Sequence, residues 1–139
     1  MTLLQRQNKF VRFIVQLLNY GHELGYEFAF GEALRSDEQA EINSLGQEGR
    51  SILANIIQPK FPELAARILN NGKADGIRFS IHQDKLAIDL ILFKDGKWLS
   101  KTEDYLLLGE YWESLDAECH WGGRFRDGNH FSIEYNGRK

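Results

Sequence analysis

The chain of 139 residues predicts an α+β fold, a small single domain spanning 1–139, with helices packed on a mainly antiparallel sheet. Three observations point there. Helical periodicity and short strand-like runs occupy separate stretches, Asp95-Gly96 has the form of a hairpin turn, and 42% hydrophobic residues supply a core for one domain. A monomer is expected.

Leu3, Leu4, Gln7, Phe10, Val11, Ile14, Leu17, Leu18 and Gly21 recur at helical spacing, giving an amphipathic first helix that closes between Gly21 and Gly25. Arg6, Lys9, Arg12 and Gln16 interrupt that stretch, so neither a signal peptide nor a membrane span is expected there. Tyr26 to Phe30 reads as an aromatic strand. Ser36 followed by Gln39 has the form of a capping box and predicts a helix from Asp37, whereas "SLGQEGR", from Ser44 to Arg50, reads as a surface loop. "FPELAARILNNG" is a helix with Pro62 in its first turn and Asn71-Gly72 as its stop. Strands follow around Gly76–His82 and Leu86–Phe93. Thr102 to Leu115 is the last helix, N-capped by Thr102, with Tyr105, Leu106, Leu108, Trp112 and Leu115 on or near its inner face. A Gly-rich turn then leads into a short strand from His130.

The formal charge of −3 and pI near 5.8 argue against a nucleic-acid partner. A single cysteine, Cys119, excludes an internal disulfide and any multi-cysteine zinc site, and reads as a buried thiol.

Asp89 is the anomaly. It lies among Leu86, Ala87, Ile88, Leu90, Ile91, Leu92 and Phe93, a run expected to be buried on both faces. An ionised carboxylate there costs several kcal/mol unless it is paired, hydrogen-bonded or bound to a metal. His82 is seven positions away, an odd number, so on one continuous strand the two side chains would point to opposite faces. A break at Gln83-Asp84-Lys85 is therefore required. "DGNH" adds His130, and His82, Asp89 and His130 together make two imidazoles and a carboxylate, a set that leaves zinc a fourth position for water. Asp127, three residues before His130, is then the expected general base. His120 is a candidate for contact with substrate or ligands; His22, Glu110, Glu113 and Glu134 read as solvated polar groups.

These residues resemble the zinc peptidases of the D-alanyl-D-alanine carboxypeptidase type, which include VanX-like dipeptidases and the L-alanyl-D-glutamate endopeptidases of phage lysins. The family's pattern is Ser-x-His, then Ala-x-Asp, and much later an acid, two residues and His. "SIHQDKLAID" and "DGNH" place Ser80, His82, Ala87, Asp89, Asp127 and His130 in register with it. "FGEALRSDEQ" looks like the segment whose arginine polarises the scissile carbonyl, which carries that role to Arg35, and "WGGRF" is similar to the lysin branch. The resemblance runs from about Phe30 to Phe131. It implies a zinc cofactor and hydrolysis of peptidoglycan stem peptides, first as an L-alanyl-D-glutamate endopeptidase, with a D-alanyl-D-alanine carboxypeptidase as the alternative. It also implies an enzyme made in the cytoplasm without a signal peptide and acting on the wall after release. Lys85 stands where the family usually has glycine, which implies a different local backbone and leaves a catalytically inactive wall-binding domain as the rival of another class.

Overall fold

Thr2 begins the first helix by a reciprocal cap. Its hydroxyl accepts from Gln5 N–H (3.2 Å) and its own N–H donates to the Gln5 side chain (2.8 Å), satisfying backbone donors that a helix start leaves open. The computed structural model describes residues 1–32, 44–70 and 80–139; the helix expected from Asp37 and the Gly76–Phe79 part of an expected strand lie outside them. The described residues are α+β, with four α-helices and a five-stranded antiparallel sheet. They group into two compact units, one holding the residues up to Glu32 and from Ile81 onward, the other those from Ser44 to Ser80.

In the first unit, α1 (Leu3–Glu23) buries Phe10, Leu17 and Gly21, while Leu4 and Val11 remain exposed, so the buried stripe is narrower than the periodicity implies. Gly25, at φ +87°, turns the chain into β1 (Tyr26–Phe30), which pairs antiparallel with β2 (Ala87–Lys94) from Tyr26↔Lys94 to Phe30↔Leu90. Asp95 and Gly96 both take positive φ, as the hairpin turn demands, and return the chain as β3 (Lys97–Leu99). The sheet is completed by β4 (Cys119–Trp121), which the sequence reading does not foresee, and β5 (His130–Ile133), in the order β1-β2-β5-β4 with β3 also on β2.

β2 is the hub of that sheet. Ile88, Leu90 and Leu92 are buried, whereas Asp89, Ile91 and Phe93 are only partly so, which corrects the expectation of two fully buried faces. Alternation is what a sheet with one face packed on the core requires. The buried set joins Phe10, Leu17, Leu108, Trp112, Phe131 and Ile133 in the core. Trp112 packs edge-on against Phe10 (5.8 Å) and Phe131 (6.0 Å), and its indole N–H donates to Ser132 C=O (3.0 Å).

The expected Thr102–Leu115 helix is two elements: a 3₁₀ turn over Thr102–Tyr105 and an α-helix, α4, over Leu106–Leu115. Thr102 is not the cap; the Asp104 carboxylate accepts from Lys101 N–H (3.0 Å) instead. The early turn swings Tyr105 inward to become buried and leaves Leu106 exposed, contrary to its expected inner position.

The second unit contains α2 (Gly46–Ile57) and α3 (Pro62–Asn70), joined around Ala54, Ala65 and Ile68. The loop expected over Ser44–Arg50 is therefore a correction: helix begins at Gly46. Glu48 in the first turn suits the positive helix end, and the apolar run that follows gives the helix a face to bury, outweighing two glycines.

Candidate metal centre

Register brings the first two donors together. β2 and β5 pair Ala87↔Ser132, Ile88↔Phe131 and Asp89↔His130, so Asp89 and His130 are cross-strand neighbours on one face. His130 Nδ1 lies 3.2 Å from Asp89 Oδ1. The backbone of Asp89 is fixed from the other side, its C=O accepting from Gly31 N–H and its N–H donating to Glu32 C=O, both at 2.7 Å. A Cβ on Gly31 would come within 3.1 Å of Asp89 Cβ, so a larger residue there would make Asp89 shift by a few tenths of an ångström.

His82 arrives from a break of the kind its odd spacing demands. It lies in a 3₁₀ turn, Ile81–Asp84, rather than at the end of a strand, which corrects the sequence reading. The turn is closed by Lys85 N–H to His82 C=O (3.1 Å) and Leu86 N–H to Ile81 C=O (3.3 Å), with Ile81 and Leu86 buried at its two ends. Lys85 itself has φ +57°: it takes the left-handed conformation that glycine supplies freely, so the lysine leaves the turn glycine-like. Two distant segments brace the same turn. The Gln7 side-chain amide donates to Asp84 C=O (2.9 Å), and the Arg138 guanidinium pairs with the Asp84 carboxylate.

His82 Nε2 lies 3.5 Å from Asp89 Oδ1, and the His82 and His130 rings meet edge-on at 5.1 Å. One donor atom from each of His82, Asp89 and His130 falls within 4.8 Å of the others. Two ligands ~2 Å from one ion at a tetrahedral angle are about 3.3 Å apart, so the 3.2 and 3.5 Å separations fit a shared cation, and the donor types fit zinc. Both histidines are buried, at 4% and 7% exposure, which limits competition from water. Burial alone would push the Asp89 carboxyl upward; the hydrogen bonds from His130 and His82 together overcome it and hold it at about 2.

Asp127 stands in the turn before β5, its N–H donating to Gly122 C=O (2.9 Å) and its C=O accepting from His130 N–H (3.1 Å); it is exposed and outside the three-donor cluster. Gly122 makes that turn possible, because a Cβ there would lie 2.3 Å from Asp127 O and 2.7 Å from His130 Cβ. Arg35 lies outside the described residues. His120 Nε2 is engaged by Glu134 at 3.1 Å, and Glu113 binds Arg124, so these two acids are paired rather than free charges. Cys119 is buried and its thiol is pushed up to about 12 by burial, in keeping with an inert core group.

One residue at the site escaped the sequence reading. Glu32 Oε2 lies 3.8 Å from His82 Nε2, placing a second carboxylate beside the cluster. Its signal is its place just after β1, but only the β1–β2 register shows which residue meets Asp89. No family model matches the chain, and no curated protein matches it either.

Proposed function

We propose that this protein is a zinc-dependent peptidase acting on peptidoglycan stem peptides, foremost as an L-alanyl-D-glutamate endopeptidase of phage-lysin type that reaches the wall after release from the cytoplasm. The observation that carries the reading is the convergence of His82, Asp89 and His130, two buried imidazoles and a carboxylate held depressed, from three separate segments. A zinc ion held by these residues would acidify water and polarise a carbonyl.

The protein's own groups supply the rest. Asp127, exposed in the turn before His130, would take the proton of the attacking water and deliver it to the leaving amine. Arg35, by the resemblance of its segment, would hold the developing oxyanion. The support for a small-peptide substrate is the motif set around Ser80, Ala87 and "WGGRF".

Digestion of purified sacculi by the zinc-loaded protein, with mass analysis of the fragments, tests the reading. Cleavage between L-alanine and D-glutamate is expected; release of terminal D-alanine would move the assignment to a carboxypeptidase, and binding without cleavage would sink the enzymatic reading. Asp127→Ala should keep one zinc per chain and lose turnover by ~10²- to 10⁴-fold. Unchanged turnover would remove Asp127 from the mechanism.

A further inference from the structure

Beside the loop that carries Asp127, a cavity of about 680 Å³ opens between the Thr102–Tyr105 turn and the 3₁₀ turn Gly122–Phe125. Its apolar lining includes Leu106 and Trp121, and Trp121 is fixed from behind by its indole N–H donating to Gly128 C=O (2.7 Å). Three cations line it. Arg124 is committed, binding Glu113 at 2.7 and 3.1 Å and lying 5.3 Å over the Trp121 ring. The Lys101 ammonium and the Arg126 guanidinium have no partner among the described residues, and Glu103 is the sole acid among the described lining residues. A chain of net charge −3 thus keeps an excess of positive charge among the described lining residues of this cavity. Arg126 also has φ +64°, a conformation disfavoured for residues with side chains.

We propose that this cavity is a subsite for a carboxylate of the peptide substrate, bound by Arg126 and Lys101, with the adjoining apolar atoms laid on the exposed Leu106. The inference rests on the peptidase reading and adds to it which part of the substrate is recognised. Charge complementarity selects an acidic peptide, since two cations with no partner among the described residues form charge-assisted hydrogen bonds to a carboxylate. Reach sets where the carboxylate lies. Arg126 adjoins Asp127 and precedes His130 by four residues, a span of at most ~14 Å, and an extended peptide rises ~3.3 Å per residue. The recognised carboxylate is therefore expected within a few residues of the scissile bond.

The test uses a soluble stem tetrapeptide ending in a carboxylate and the same peptide ending in a carboxamide. Cleavage is followed with the zinc-loaded parent, and binding by calorimetry on zinc-loaded Asp127→Ala protein. The carboxylate form should be preferred by ~10-fold or more in both KM and Kd. Arg126→Glu combined with Lys101→Glu should erase or invert that preference while zinc content is retained. A parent without the preference, or a double variant that keeps it, overturns the subsite. Cleavage of both peptides at equal efficiency would overturn the subsite and leave the peptidase reading standing; charge-sensitive binding without any cleavage would do the reverse.

Discussion

Asp89 gains its ionised state from the two imidazoles beside it, and this has a measurable consequence in the metal-free protein. Its folded value of about 2 lies below the ordinary 3.8, so it contributes stability that is fully present above the unfolded value and is lost as pH falls through the folded one. The contribution is roughly 2 kcal/mol. Urea unfolding of the metal-free protein should therefore weaken between pH ~4 and ~2 by about that much more than unfolding of Asp89→Asn. Superimposable acid limbs for the two proteins would contradict the assignment. Lys85 offers a second residue-level prediction. Its left-handed φ costs ~1 kcal/mol that glycine avoids, part of which glycine returns through a looser unfolded chain. Lys85→Gly should stabilise the fold by no more than about 1 kcal/mol and leave zinc affinity within a few-fold. A clear loss of either would mean that the lysine side chain, rather than the backbone, holds the turn.

Among the elements, β2 is the one on which the site depends, and one hydroxyl fills a gap in its hydrogen bonding. β5 pairs with β2 only as far as Asp89 and β3 only from Leu92. Between them the buried Tyr105 hydroxyl accepts from Leu92 N–H (3.1 Å) and donates to Leu90 C=O (3.0 Å). Tyr105→Phe leaves both backbone groups buried without that partner, and should cost ~1–3 kcal/mol in thermal or denaturant unfolding. A loss below a few tenths of a kcal/mol would show that water or a shifted strand replaces the hydroxyl. The same scale shows where a sequence is readable. α1, β1 and α3 announce themselves through long periodicity, an aromatic run and Pro62, and Asp95-Gly96 fixes a turn by backbone chemistry alone. α2 does not, because Gly46 and Gly49 mask a helix whose stability comes from Ala54 packing on Ala65 and Ile68. β4 is three residues long and owes its existence to β5, so no local pattern marks it.

For the whole molecule, the clustering of His82, Asp89 and His130 is legible because a carboxylate in an apolar run must find partners, and few histidines are there to provide them. Glu32 is not legible, since it reaches His82 only because the segment after β1 meets Asp89, whose N–H donates to Glu32 C=O. Nor is the division into two units, because composition does not change at either boundary. The pairing of Asp89 with His130, 41 positions apart, also governs the time course of assembly. His82 and Asp89 are neighbours along the chain, but the third donor arrives only when β5 docks on β2, a contact of high sequence separation that forms late if nucleation begins among the local hairpins. Zinc would then find its full set of ligands only after the rate-limiting barrier has been crossed. Stopped-flow measurements should show refolding rates nearly indifferent to zinc and unfolding slowed about tenfold for each 1.4 kcal/mol of binding free energy. A metal that accelerated refolding would instead place β5 on β2 within the folding nucleus, and the ion would be a template for the sheet rather than a latch upon it.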